Sequence, residues 1–244
     1  MPQAPDQFQP PRERRRPEAE DVALSVVYED DHFIVVDKPA GMVVHPTYKN
    51  WTGTLLNGLL WRARTRGAAV PSVITRLDKQ TSGLVLAAWS AAVHAQVQRD
   101  AAAGRVRKDY LAVVAGVPSP PRGEIALPLR RSAEDRRRVV VADDGQASRT
   151  NYDLHWTDGE RSVVRCELVT GRTHQIRVHL AARGWPILGD EVYGVPCEGL
   201  TRQALHAWRV RLPHPLTRTP LDFEAPVPVD LERWYRHPSQ NPTL

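Results

Sequence analysis

Apolar residues in this chain fall mostly into short runs and alternations, with fewer stretches at helical spacing. Two β-branched runs, Leu24 to Tyr28 and Phe33 to Val36, flank the polar turn Glu29-Asp30-Asp31-His32 and predict a strand pair. The turn signal Lys38-Pro39-Ala40-Gly41 breaks the second strand. Leu55, Leu59 and Leu60 recur at helical intervals in "GTLLNGLLWRART". The apolar run "SGLVLAAW", from Ser82 to Trp89, suits a buried strand. A helix follows, N-capped by Ser90 and stopped by Gly104. From Lys108 to Gly116, Tyr110, Ala112 and Val114 alternate with Leu111 and Val113, as in a strand covered on both faces. Further strands are expected at Arg138 to Val141, Arg149 to Trp156 and Ser162 to Thr170, and a helix between Gly171 and Gly184. "RQALHAWRVRL" closes the expected regular structure, and a Pro-rich segment follows.

Strands outnumber helices and do not alternate regularly with them. The expected class is therefore α+β, with a mixed, largely antiparallel sheet flanked by helices and loops. No repeat and no composition break divides residues 23–232, which read as one domain. Residues 1–22 read as a disordered arm and 233–244 as a tail.

Composition narrows the function classes. The chain has 244 residues, 41% hydrophobic and 25% charged, ordinary globular values that exclude wholesale disorder. No apolar run approaches the ~20 residues of a membrane helix, and the polar N-terminus is no secretory signal. Cys166 and Cys197 lie far apart without a CxxC pattern, so a reducing cytoplasm is the expected location. The net charge of +5 is compatible with a polyanionic partner. Five arginines (Arg130, Arg131, Arg136, Arg137, Arg138) face only Glu134 and Asp135 in "RRSAEDRRR", which reads as a solvated hairpin loop or a phosphate-contacting one. The arginines of the N-terminal arm are matched by Glu13, Glu18, Glu20 and Asp21.

Four segments stand out: "KPAGMVVHP" from Lys38, "RLDKQTSGLVL" from Arg76, "KDYLAVVAG" from Lys108, and "TGRTHQIRVHLAARGWPILGDEVYG" from Thr170. Taken singly, Asp78 reads as a turn cap, Arg177 as a surface or phosphate-facing helix arginine, and Tyr110 as core. In this order, with "RQALHAWRVRLPHPLT" after them, the segments resemble the RluA-type pseudouridine synthases from about Leu24 to Leu231. The resemblance implies an enzyme that detaches a uracil from its ribose, rotates it and rejoins it through carbon 5, without metal or cofactor. It implies Asp78 as the catalytic aspartate, acting either as a nucleophile at the anomeric carbon or as a base on the ribose. It implies Arg177 as the cation that keeps such a carboxylate ionised and aimed. It implies Tyr110 as the stacking ring, with a share in the carbon 5 proton transfer. Arg76 is implied to fill the space vacated by a flipped nucleotide, and Leu205 to line the uracil pocket. Lys38 and His45 are candidates for the pocket rim.

The implied partner is RNA, a ribosomal or transfer RNA stem-loop, bound by a monomer with no membrane attachment. The residue before the RLD segment is usually His in this family, and here it is Thr75. Only about 22 polar residues precede the first expected strand, so RNA recognition is expected to fall to the catalytic domain, with the Arg130–Arg138 loop as a contact. A zinc site is not expected, because His174 and His179 are five apart and do not share a helix face. "VTGRT" lacks the spacing of a nucleotide loop. No second carboxylate has a motif-supported place beside Asp78, which disfavours an ordinary glycosidase. The rival class is a catalytically idle RNA-binding protein of ribosome assembly with the same fold. A free-nucleoside hydrolase is a third.

Overall fold

The computed structural model describes residues 16–236 except 68, 69 and 136. Along the chain come β1 (Ser25–Glu29), β2 (Phe33–Lys38), α1 (Leu55–Thr65), β3 (Ser72–Val73), β4 (Ser82–Ala88), α2 (Ala91–Ala102) and β5 (Arg107–Ala115). Then follow β6 (Arg122–Ile125), β7 (Leu129–Arg131), β8 (Val139–Val141), β9 (Thr150–Thr157), β10 (Arg161–Leu168), α3 (Gln175–Ala182), β11 (Leu205–Pro213), β12 (Pro220–Glu224) and α4 (Val229–Tyr235). One sheet runs β1-β2-β4-β11-β5-β10-β9-β6, with β3 added to β4 and β12 to β11. Among the described strands, β4 and β11 pair in parallel and every other ladder is antiparallel. The expected α+β class with a mixed, largely antiparallel sheet is what the chain forms.

The uninterrupted apolar character of β2 and β4 follows from cover on both faces. Ile34, Val36, Val85 and Ala87 pack under Leu55, Leu59 and Ala63 of α1. Phe33, Val35, Leu84, Leu86 and Ala88 pack under Val93 and Val97 of α2. Helix α1 starts with Thr54 and Asn57 capping each other's backbone, and Ser90 caps α2 through the Val93 N–H. Gly83 opens β4 at φ +111°, and a Cβ there would lie 2.2 Å from Ala207 O on β11. Only glycine lets the parallel pair close here, directly after the Asp78 loop.

Several elements depart from the sequence expectation. Strands β6 and β7 are four and three residues long, too short to register as runs. In the Pro-rich segment, β12 forms an edge strand that begins at Pro220, where a missing N–H is tolerated. Helix α4 begins after Pro228 and buries Leu231 completely. It runs through position 232, where the domain was expected to end. The last residues of the expected arm are also bonded to the fold. Glu20 N–H donates to Asn57 O, Glu20 Oε2 accepts from Gly53 N–H, and Asn57 Nδ2 donates to Glu18 O.

Candidate active site

Asp78 lies in the loop between β3 and β4, and that loop is braced on two sides. From one side Gly41 N–H and Lys38 Nζ both donate to Lys79 O, at 2.8 and 3.2 Å. From the other, Arg202 Nη1 donates to Gln80 O at 3.2 Å, and Gln203 Nε2 to Thr81 Oγ1 at 3.1 Å. Arg202 is itself gripped by Asp230 of α4 at 2.7 and 3.0 Å. Within the loop, Thr81 N–H closes a turn onto Asp78 O. Thr75, where the sequence departs from the family pattern, accepts the Leu86 N–H on Oγ1 at 2.9 Å and caps the short β3–β4 ladder.

Helix α3 brings up the cation. Arg177 Nη1 donates to Asp78 Oδ2 at 2.8 Å. The same guanidinium makes a bidentate pair with Asp190, Nε to Oδ2 at 2.6 Å and Nη2 to Oδ1 at 2.8 Å. Side-chain exposure falls along the series, from 26% at Asp78 to 7% at Arg177 and none at Asp190. Burial works against the charge of Arg177, but Asp190 and Asp78 outweigh it and raise its pKa. Burial likewise opposes ionisation of Asp190. Arg177 and the N–H groups of Val192 and Tyr193 outweigh it and hold that carboxyl below its ordinary value. Arg177 also stacks on Tyr193, 5.0 Å from the ring centre.

The outer side of Asp78 faces a cavity lined by Arg76, Leu77, Thr81, Tyr110, His174 and Leu205, among others. Tyr110, from β5, is buried, and burial first and the Asp78 charge second push its hydroxyl well above the usual phenol value. A second cavity of about 460 Å³ adjoins it and is walled by Arg130, Arg131 and Arg172. Arg76 and Arg172 line both. Arg76 Nη2 donates to Thr173 Oγ1 at the boundary. A carboxylate with one oxygen held and the other facing a cavity can attack an electrophilic carbon or take a proton.

Five of the expected site residues therefore converge: Asp78, Arg177, Tyr110, Arg76 and Leu205. Lys38 does not line either cavity. It is fully buried, and Nζ donates to Pro39 O, Met42 O and Lys79 O, the three acceptors an ammonium can use. Its long stem reads from sequence as a rim charge, but its place is under the loop. His45 is exposed at the surface and outside the cavity walls, and partial burial of its ring first and the Arg76 charge second lower its pKa. Arg130 and Arg131 of the hairpin reach the second cavity, whereas Arg137 folds back on Asp135 at 3.0 Å. Arg138 sits over the Tyr193 ring at 5.5 Å. Arg136 lies outside the described residues.

Residues 32–182 match the family model described as RNA pseudouridylate synthase. The chain belongs to that family. It is 37% identical over 235 residues to the ribosomal large subunit pseudouridine synthase D of Zymomonas mobilis, covering 90% of this chain and 74% of that one. It is 41% identical over 230 residues to the protein of the same name from Xanthomonas campestris, covering 88% and 69%. A solved structure, human RNA pseudouridylate synthase domain containing 4, shares the fold with a TM-score of 0.69 at 24% identity, over 86% of this chain and 92% of that one. As a pseudouridine synthase, this protein is an isomerase that acts on RNA.

Sequence reasoning missed His174, Asp190, Tyr193 and Arg202. Asp190 and Tyr193 stand in "GDEVYG", inside a quoted motif, but nothing local says that their side chains point back at Arg177. The second carboxylate that sequence could not supply is thus present. It sits behind the guanidinium and not on the cavity. No helix among the described residues is long and apolar enough to cross a membrane.

Proposed function

We propose that the chain converts a uridine in a stem-loop of large-subunit ribosomal RNA to pseudouridine, with Asp78 as the reacting carboxylate. The observation that carries this reading is the half-held carboxylate: Arg177 takes Oδ2, and the cavity with Tyr110 and Leu205 opens on the other side. Asp78 acts on the ribose, either by attack on the anomeric carbon or by removal of a ribose proton. The N1–C1′ bond breaks, the uracil turns over, and a C5–C1′ bond forms as the C5 proton leaves. N1 takes up a proton in its place, so the composition of the nucleotide is unchanged and the reaction needs no co-substrate.

Arg177 aims the carboxylate and is itself fixed by Asp190. Tyr110 and Leu205 sandwich the detached base. The raised pKa of Tyr110 keeps its hydroxyl protonated, which favours a stacking role over that of a phenolate base. Reaching the sugar requires the nucleotide to leave its stack, at a cost of roughly a few kcal/mol. Arg76, on the boundary of the two cavities, fills the vacated space, and Arg130, Arg131 and Arg172 take phosphates of the flanking strand. The enzyme works as a monomer in the cytoplasm. The ribosomal target is drawn from the printed names of the two bacterial relatives.

Two measurements test the reading. Purified Asp78→Asn protein is expected to bind RNA within several-fold of wild type and to form no pseudouridine; wild-type yield would sink the assignment of Asp78. Pseudouridine mapping of total RNA with and without the gene is expected to lose a site in large-subunit ribosomal RNA. Loss confined to transfer RNA would replace that target.

A further inference from the structure

The turn that opens α3 holds a residue which the carboxylate–arginine pair leaves unused. His174 lies at φ 55°, ψ 16°, in the left-handed region where glycine and asparagine sit with least strain. A histidine there is kept by its surroundings, and such positions cluster at functional sites. The surroundings are visible: Gln175 ties the turn together, accepting from Thr170 Oγ1 and Arg172 N–H and donating to Arg149 O and Thr150 Oγ1. The His174 ring forms part of the Asp78 cavity wall. Its Nε2 is 3.8 Å from Asp78 Oδ1, the oxygen that Arg177 does not hold.

The Tyr193 hydroxyl links the His174 ring to the β8 backbone. The Val139 N–H, on β8, donates to the Tyr193 hydroxyl oxygen at 2.7 Å. The remaining partner of that hydroxyl is His174 Nδ1 at 2.8 Å. A hydroxyl that already accepts from a backbone N–H has its own proton to give to Nδ1, and in that arrangement the neutral ring carries its proton on Nε2. Burial, with Arg177 and Arg131 nearby, lowers the pKa of this imidazole against the pull of Asp78 and Asp190. In that tautomer the ring presents an N–H to the free oxygen of Asp78. The separation of 3.8 Å is longer than a hydrogen bond. Catalytic hydrogen bonds are often long in the ligand-free state and tighten in the complex. The relay starts at the β7–β8 hairpin, which docks on α3 through Leu129, Val139 and Val178.

We propose that His174 is a positioning residue for Asp78, aiming Nε2–H at the free Oδ1, and that Tyr193 fixes this tautomer and ties it to the docked β7–β8 hairpin. The proposal rests on Asp78 being the reacting carboxylate. It is new relative to that reading, because it makes the hairpin that borders the RNA cavity part of the catalytic alignment.

The test uses side-chain geometry against backbone geometry. Glutamine places its amide N–H near the position of imidazole Nε2. Asparagine mimics only the Nδ1 end, yet suits left-handed backbone better. His174→Gln, His174→Asn and His174→Gly are compared in single-turnover rate at saturating RNA, on the full chain. Positioning through Nε2–H predicts that His174→Gln stays within about ten-fold of wild type while the other two fall by about 100-fold. Asparagine or glycine matching or exceeding glutamine would overturn the proposal and leave His174 a backbone element. Nitrogen NMR of the wild-type imidazole, which needs no variant to fold, is expected to show the proton on Nε2, and Tyr193→Phe to mix the tautomers. A proton on Nδ1 in wild type overturns it equally. Asp78→Asn is assayed alongside. An active Asp78→Asn protein removes the underlying reading, whereas an inactive one with the order asparagine above glutamine removes His174 alone.

Discussion

Two carboxylates of this chain hold arginines in opposite ways. Asp100, near the end of α2, is 1% exposed and fully engaged. Arg218 grips both oxygens at 2.7 and 2.8 Å, Arg105 adds Nε at 2.9 Å, and Gln96 adds a donor at 3.2 Å. Arg218 above all, against the opposing effect of burial, holds this carboxyl well below its ordinary value. These cations also neutralise an acid placed at the unfavourable end of a helix. Asp78 has one guanidinium contact, through Nη1, and the other two nitrogens of that guanidinium donate to Asp190. Saturation makes a joint, whereas withholding partners leaves an oxygen available for chemistry. The two sites contain the same residue types, so composition alone cannot separate them.

The largest effect should come from breaking the withheld side. Asp190→Asn leaves the Arg177 cation, 7% exposed, without its buried counter-charge. Stability is expected to fall by about 3–5 kcal/mol in urea titrations, and the single-turnover rate by about 100-fold. An unchanged rate would mean that Arg177 needs no second carboxylate. Asp100→Asn is the matched control. Arg105 and Arg218 are half exposed, 51% and 43%, so water replaces much of what is lost. A loss of about 1–3 kcal/mol is expected with the rate unchanged.

The pH dependence of Asp100 follows from its depressed folded pKa. Its contribution is present above the ordinary value of 3.8 and is lost as pH falls through the lower folded value. Stability measured against pH should fall through this acid window more steeply in wild type than in Asp100→Asn. Equal slopes would remove Asp100 as a titrating joint.

Smaller effects should rank the arginines by the same rule. Arg76 donates to a hydroxyl and lines both cavities. Arg76→Ala should weaken RNA binding several-fold and lower the salt slope by about 1. Arg137 is 91% exposed but bidentate on Asp135. Arg137→Ala should leave stability within about 0.5 kcal/mol and the salt slope unchanged. A slope change there would return the hairpin tip to the RNA interface.

Much of the fold was legible because its signals are local. The run in β4, the cap at Ser90 and the stop at Gly104 each state their own structure. Asp78, Tyr110 and Arg177 were legible because they sit in long motifs. What stayed hidden depends on distant contacts. Asp190, His174 and Tyr193 gain their roles only when the segment after α3 folds back on Arg177. Lys38 looked like a rim charge because a buried ammonium is rare unless carbonyls surround it, and those belong to residues 39, 42 and 79. Strand β12 and α4 were masked by prolines that mark element starts as readily as loops.

The bracing of the Asp78 loop has a consequence for how the protein is made. Gln80 is held by Arg202, Gly83 lies against Ala207, and Asp230 grips Arg202 from behind. A growing polypeptide carries the whole "RLDKQTSG" segment long before any of these partners has been synthesised. The motif therefore emerges with only Lys38 and Gly41 available to brace it, and its second brace forms only when Arg202 and α4 arrive. Such long-range closure is slow compared with local helix formation. In a member of an RNA-modifying family, the loop that carries Asp78 is thus fully braced only after α4 has been made.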